Sequence, residues 1–268
     1  MPRRTRLDAE LVRRGLARSR EHASQLIADG RVTVRGTVAG KPATGVETDA
    51  AVVVRDVDKD EGWASRGAHK LLGALAAFDV PVTGRRCLDA GASTGGFTDV
   101  LLRGGAAQVV AADVGRGLLV WRLQTDDRVV VLDKTNVRAL TPEQTGGPVD
   151  LVVADLSFIS LRLVLPALLA CTTEDADLLP MVKPQFEVGK ERLGSGGVVR
   201  EPELRADAVR SVLAAAGELG LRAHGVVASP LPGPSGNVEY FAWLRRGESL
   251  DDAAAAELVE TAVREGPQ

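Results

Sequence analysis

Four ionisable residues stand out by type and placement: Lys70, Asp155, Lys183 and Glu239. Lys183 closes an apolar run, Leu179-Pro180-Met181-Val182, where packing alone gives no reason for an ammonium group. Asp155 follows another such run, Leu151-Val152-Val153-Ala154. Lys70 precedes the first of these runs and Glu239 lies in the last. If the runs are strands of one sheet, their ends bring two ammonium groups and two carboxylates to a common point, where burial and neighbouring charge tune a lysine. Such a set suits methyl transfer to a ribose 2′-hydroxyl, a poor nucleophile that must be held in line and helped to lose its proton. Lys183 is the candidate central group, taking the proton or stabilising the developing alkoxide. Asp155 and Glu239 would orient the lysines, and Lys70 would position the nucleotide. The residues leave open which group finally holds the proton. Their bland reading is four scattered surface charges.

A second constellation is Cys87-Leu88-Asp89-Ala90-Gly91-Ala92-Ser93-Thr94-Gly95-Gly96-Phe97-Thr98, a strand, a glycine-rich turn and a helix start. Glycine there lets the backbone turn tightly and approach a ligand. A dinucleotide site would want G-x-G-x-x-G to bring a pyrophosphate to the helix N-terminus. Here the middle glycine is Ser93, which argues against a pyrophosphate and suits S-adenosylmethionine, whose methionine end carries an amino and a carboxylate group. The candidate cofactor residues in the turn are Gly91, Ser93, Gly95, Gly96 and Phe97. Asp113 ends the next strand, where it can accept hydrogen bonds from both ribose hydroxyls; this marks adenosine without naming the cofactor. Asp133 or Asn136, after the third strand, could bond the adenine amino group, against the reading of a loop carboxylate and a turn-forming Asn. Asp155 lies at the C-terminal end of the fourth strand, where such sheets bind ligands.

The elements that must position these groups follow a β-α-β rhythm from about residue 63 to 246. A helix runs to about Phe78, and strands are expected over 86–90, 107–112, 128–132, 150–154, 177–182, 222–228 and 238–245. The last two, joined by a Pro/Gly loop at 230–237, look like a hairpin. A parallel doubly wound sheet with a terminal antiparallel hairpin is the pattern of a class I methyltransferase. From about Ser249 the chain is acidic and Ala-rich, expected to be a surface helix or a frayed tail.

Ahead of this body lies a basic head. Residues 1–35 carry nine arginines against four carboxylates, a local +5 on a chain of net −3, which leaves −8 elsewhere. A cluster of cations on an acidic body points to a polyanion partner. Ser19 is a candidate N-cap for a second short helix, Gly30 ends it, and 31–34 and 51–55 alternate like strands. The stretch Arg6-Leu7-Asp8, Gly15 to Arg20, and Gly30-Arg31-Val32-Thr33-Val34 resembles the S4 RNA-binding domain. That resemblance implies RNA contacts at Arg4, Arg6, Arg14, Arg18 and Arg20.

With Arg66-Gly67-Ala68-His69-Lys70, the Asp89–Thr98 turn, Asp155-Leu156-Ser157-Phe158-Ile159-Ser160, Val182-Lys183-Pro184-Gln185-Phe186-Glu187 and Gly236-Asn237-Val238-Glu239-Tyr240 on the page, the chain up to about residue 246 resembles the TlyA family of ribosomal RNA 2′-O-methyltransferases, also labelled haemolysins. The resemblance implies an α/β class I S-adenosylmethionine-dependent fold with a seven-stranded Rossmann-like sheet, FtsJ-like, behind a small α+β S4 domain. It places the S4 domain at 1–58, a linker at 59–65, the methyltransferase domain at 66–248 and a tail at 249–268. It implies cytidine as target, ribosomal RNA in 30S and/or 50S subunits as partner, and sensitisation to cyclic-peptide antibiotics such as capreomycin. The family's R-x-W-x linker motif contributes to cofactor binding; the corresponding place here reads Glu61-Gly62-Trp63-Ala64, without the arginine.

Other classes find less support. No apolar run approaches the ~18 residues of a membrane span, and no strongly amphipathic segment suggests a membrane-active haemolysin. The start, Met-Pro-Arg-Arg-Thr-Arg, lacks a secretory pattern, so the expectation is a cytoplasmic protein. Cys87 and Cys171 suggest neither a disulfide scaffold nor a zinc site, and His22, His69 and His224 lack metal-ligand spacing, so no metal is expected. A non-catalytic assembly factor that kept the fold is the alternative, against which the intact tetrad and glycine turn speak. Phe97 and Trp121 read as core; Phe158, beside Asp155, could instead stack on a flipped cytosine.

Overall fold

The computed structural model describes residues 4–17, 19–48, 50–54, 62–248 and 250–267. The chain divides into two compact units, 1–62 and 63–268.

The first unit contains β1 (Arg4–Arg6), α1 (Leu7–Arg13), α2 (Arg20–Ala28), β2 (Val32–Val34), β3 (Thr37–Val38), β4 (Gly45–Glu47) and β5 (Val52–Val54). β2 is central in a three-stranded antiparallel sheet, and β1 pairs with β4 in a separate ribbon. Ser19 caps α2 as expected, its hydroxyl accepting from the His22 amide at 3.1 Å. Leu7, Leu11, Ala23, Leu26, Ile27, Val32 and Val46 form the core. The β1–β4 ribbon has no apolar alternation to announce it: Arg4-Thr5-Arg6 reads as a basic tail.

Two buried carboxylates organise the arginines of this unit. Arg6 and Arg20 both bond Asp8, at 2.9 Å each. Arg13 and Arg14 bond Glu10 at 2.6 and 2.7 Å. The Arg13 guanidinium, seconded by Arg14, overcomes burial and holds the Glu10 carboxyl at about 2, below its ordinary 4.5. Asp8 is held down in the same way, by Arg6 first.

The second unit begins by fastening Trp63 and Ala64 to its own body. The Arg103 guanidinium lies 4.0 Å over the Trp63 ring, and the Ala64 amide donates to Asp99 Oδ2 at 2.8 Å. There follow α3 (Gly67–Phe78), β6 (Arg86–Ala90), α4 (Gly96–Arg103), β7 (Gln108–Ala112), α5 (Trp121–Gln124), β8 (Val129–Leu132), α6 (Pro142–Thr145), β9 (Val149–Ala154), α7 (Leu165–Ala170), β10 (Thr172–Val182), α8 (Pro184–Glu187), α9 (Pro202–Glu218), β11 (Leu221–Ala228), β12 (Tyr240–Arg246) and α10 (Asp252–Glu265). The sheet order is β11-β12-β10-β9-β6-β7-β8. β10, β9, β6, β7 and β8 run parallel, and β12 is antiparallel to both its neighbours. This is the expected class I sheet with its terminal hairpin.

The strands are apolar on both faces because helices cover both. Leu88, Val110, Val152 and Leu178 pack toward the layer that includes Val209 and Val212 of α9. Cys87, Val109, Leu151 and Leu179 pack toward Leu71 of α3 and Val100 and Leu101 of α4. Val259, Ala262 and Val263 of α10 belong to the first of these cores. The C-terminal stretch is therefore a helix with a buried stripe, capped by Asp251, and not a frayed tail. Its acidic composition belongs to the outer face and hid the period of the inner one.

A carboxylate held down in the folded state stabilises fully above its ordinary range and loses that contribution as pH falls toward its folded value. Protection of α1 amides in the full chain, corrected for intrinsic exchange, should therefore fall between pH 4.5 and 2. Glu10→Gln should lower protection at pH 7 by about tenfold, as a buried charge partner is lost, and make the acid dependence shallower. An unchanged profile in that variant would contradict the assignment.

Candidate active site

The C-terminal ends of the parallel strands converge on one set of groups. Lys70, buried on the same side of α3 as Leu71 and Ala74, sends its ammonium to Glu239 Oε2 at 2.6 Å. Lys183, just beyond β10, meets Asp155 Oδ1 at 2.6 Å and Glu239 Oε1 at 4.0 Å. It also donates to Ser157 Oγ at 3.1 Å. Glu239, immediately before β12, is 1% exposed. The four residues picked out by type and spacing thus form one chain of contacts, Lys70–Glu239–Lys183–Asp155, with two charges of each sign. Glu239 Oε1 has no hydrogen-bond partner among the described residues. Gly233 lies against it and leaves no room for a Cβ.

The glycine turn abuts this set. Gly91 has φ +89°, and a Cβ there would run into the Asp155 carbonyl oxygen. Gly95 (φ +99°) opens α4. Ser93 takes a left-handed φ of +47°, and its amide donates to Asp113 Oδ2 at 2.8 Å. Asp113 Oδ1 accepts from the Gly115 amide at 2.7 Å. Asp113 thus ties two backbone loops at the end of β7, and each oxygen keeps a second acceptor position. Asp133 accepts from the Gly117 amide at 2.9 Å.

Three of the candidate residues have other work for their side chains. Gly96 packs against Ser65 and Ala68 at the start of α3, so its missing side chain serves helix packing. Phe97 is buried in the core, with its ring 5.9 Å from that of Phe241. Asn136 commits its side-chain oxygen to the Arg138 amide, capping a short 3-10 turn. Trp121, read from sequence as core, is 75% exposed at the start of α5. A four-residue helix has too little surface to bury an indole, and spacing gave no warning of it.

Two polar residues at the site stand inside the sequence motifs without being marked as candidates by type or spacing. One is Ser157. The other is Asp89, fully buried, which accepts from Thr98 Oγ1 at 2.6 Å through Oδ2 while Oδ1 has no partner among the described residues. Burial pushes the Asp89 carboxyl up to about 7 against the Thr98 hydroxyl, and the negative charge of Asp155 adds to the rise. An acid inside an apolar strand, Cys-Leu-Asp-Ala, was the available signal. Phe158 is 89% exposed at φ +63°, with its ring 5.3 Å from that of Phe186.

In the first unit, Arg4, Arg6 and Arg20 keep much of their side chains in solvent. Arg14 differs: its guanidinium is held by Glu10 and by the Ala50 and Thr48 carbonyls at 2.7 and 2.9 Å. It is an internal clip between α1 and the chain before β5, which removes it from the set of free RNA contacts. Arg18 lies outside the described residues.

Sequence profiles divide the chain as the structure does. The FtsJ-like methyltransferase profile matches residues 63–246, and the S4 domain profile matches residues 5–52. The chain belongs to the TlyA family, in which an S4 domain precedes an FtsJ-like methyltransferase. It is 61% identical, over the full length of both chains, to the 16S/23S rRNA (cytidine-2′-O)-methyltransferase TlyA of Mycobacterium tuberculosis. It is 34% identical to a Brachyspira hyodysenteriae protein named Hemolysin A, over 88% of this chain and 98% of the other. A solved Streptococcus thermophilus structure that carries a hemolysin name superposes with a TM-score of 0.74 at 35% identity, covering 99% of this chain and 98% of the other. Among the described residues no helix is long and apolar enough to cross a membrane.

Gly91→Ala should test the contact between turn and tetrad. It adds a left-handed strain of about 1–2 kcal/mol and a clash with the Asp155 backbone. Gly117→Ala, also at positive φ but with open space around it, adds only the strain. The urea midpoint of the full chain should fall further for Gly91→Ala; equal losses would show that the contact is slack.

Proposed function

We propose that this chain transfers a methyl group from S-adenosylmethionine to the 2′-hydroxyl of a cytidine in ribosomal RNA, acting on 30S and/or 50S subunits in the cytoplasm. The observation that carries the reading is the closed contact chain Lys70–Glu239–Lys183–Asp155, set against a glycine turn at the ends of parallel strands. The family and its named relatives supply the substrate.

The residues of the turn fit this cofactor. The free oxygen of Asp89 is a buried acceptor without a donor among the described residues, and the missing side chains of Gly91 and Gly95 let the turn close tightly against Asp155 and against Leu119 and Leu123. Asp89 would face the methionine ammonium, Asp113 the ribose hydroxyls and Asp133 the adenine edge. When bound, the cofactor supplies a sulfonium methyl open to in-line attack. The protein's part is to hold the 2′-oxygen and manage its proton. Lys183 has two of its hydrogen-bonding positions taken, by Asp155 and Ser157. Held by these acceptors, the Lys183 nitrogen is placed to take the 2′-hydroxyl proton or to stabilise the developing alkoxide, with Asp155 and Glu239 balancing its charge. Lys70 fixes the opposite carboxylate oxygen of Glu239. Phe158, held outward in a conformation costly for a bulky residue, offers its face to the target base. The exposed arginines of the S4 unit add salt-sensitive, sequence-independent affinity.

Lys183→Ala should reduce kcat at least about a hundredfold, the usual scale of a lost general base, with cofactor and subunit affinity nearly unchanged. Phe158→Ala should instead cost about tenfold in kcat/KM on subunits, in line with one lost base stack. The assay is transfer of labelled methyl to separated subunits, with alkali-resistant cytidine dinucleotides as product. Absence of label on either subunit despite cofactor binding would overturn the reading.

A second test uses Asp89. If its carboxylate receives the cofactor ammonium, affinity should weaken as pH falls through about 7, where the group takes up a proton. Titration calorimetry should show a decline approaching about tenfold per pH unit below that point, and Asp89→Asn should bind weakly with a flat profile. An affinity independent of pH in the unaltered chain would exclude this role.

A further inference from the structure

The loop after β9 carries Asp155, Ser157 and Phe158, and it is held at two ends by one short turn of helix. Its first half is tied to Lys183, which immediately precedes α8. Its second half is tied to Glu187, the last residue of α8. Glu187 Oε2 accepts from the Ser160 hydroxyl at 2.6 Å, and Oε1 accepts from the Leu161 amide at 2.7 Å. The Glu187 side chain is almost wholly buried, with Arg162 Nε 3.6 Å away. Burial raises its pKa against these hydrogen bonds. Between the two anchors Phe158 sits at φ +63°, a conformation that persists for an aromatic residue only when its surroundings over-determine it. Phe186, between the anchors on α8, also packs on the Phe158 ring.

We propose that Glu187 is a positioning residue for methyl transfer: by gripping Ser160 and Leu161 it holds the loop that presents Asp155 to Lys183 and the Phe158 ring to the target nucleotide. The inference rests on the reading of the site given above. A carboxylate is suited to the task because it accepts from a hydroxyl and an amide at once, at a fixed distance from the lysine four residues earlier. Loss of the grip frees the distal half of the loop while leaving the glycine turn and its aspartates in place. The effect belongs in turnover, not in cofactor binding.

The test compares Glu187→Ala and Glu187→Gln in the full chain. Trypsin cleavage after Arg162, whose side chain is half exposed, reports the loop without reference to activity. In Glu187→Ala, nicking at this bond is expected to be at least tenfold faster. In the same variant kcat on subunits is expected to fall at least tenfold, with the dissociation constant for S-adenosylmethionine within twofold. Glu187→Gln keeps an acceptor for the Leu161 amide and a group that can bond Ser160, and is expected within threefold of the unaltered chain on both counts. If Glu187→Ala does not fold, Ser160→Ala removes one of the two bonds to Glu187, along with the Ser160 hydroxyl's bonds from the Arg162 amide and side chain, and is expected to show the same signs at about threefold. Nicking and kcat within twofold of the unaltered chain would overturn the proposal, as would a parallel loss of cofactor binding. An unaltered chain that methylates neither subunit, with nicking still accelerated in Glu187→Ala, would overturn the reading of the site and leave the loop anchor standing.

Discussion

Glu239 sits between two lysines at the centre of the second unit, and most of the architecture there can be understood from the need to satisfy it. A carboxylate removed from water is tolerated only with partners in good geometry, and so are the ammonium groups that supply them. Lys70 comes from a helix that precedes the sheet, Lys183 from the end of β10, and Glu239 from the start of β12. Each must arrive at its place for the other two to be buried. The cluster is neutral overall when all four members are charged, so removing any one leaves an excess charge in a dry place. This makes the set a weak source of stability and a strict condition on structure.

The glycine turn joins this condition to the ligand crevice. Because Gly91 has no side chain, β6 and the chain after β9 close on each other at the level of Asp155. The residues offered to a ligand and those that would act on a nucleotide are therefore neighbours through backbone contact. Asp89, in β6 just before the turn, keeps one buried oxygen without a partner among the described residues.

Much of this was legible in the sequence because the cues were local and strong. Apolar runs bounded by polar residues marked all seven strands of the large sheet, and an antiparallel end was implied by the short loop before Glu239. The convergence of Lys70, Asp155, Lys183 and Glu239 followed once those runs were taken as one sheet. What failed did so where tertiary context decides. The α10 stripe of Val259, Ala262 and Val263 was obscured by alanine and glutamate around it. Trp121 reads as core by its type, but its helix is a single turn. Arg14 shares its composition with its exposed neighbours, and only the distance to the Ala50 and Thr48 carbonyls separates a clip from a contact. Asp89 lies within the glycine-turn motif, yet nothing in spacing reveals an oxygen left without a donor.

The position of β12 has a consequence in time. β12 enters between β10 and β11, pairing with both, although β11 precedes it in the chain. Lys70 and the carboxylate that neutralises it are 169 residues apart. Lys70, Asp155 and Lys183 all precede Glu239 and β12 in order of synthesis, so the carboxylate shared by the two lysines is the last member of the cluster to be made. A growing chain thus holds the whole glycine turn long before it holds Glu239, and the four-residue cluster has all its members only when the last strand of the sheet has been made.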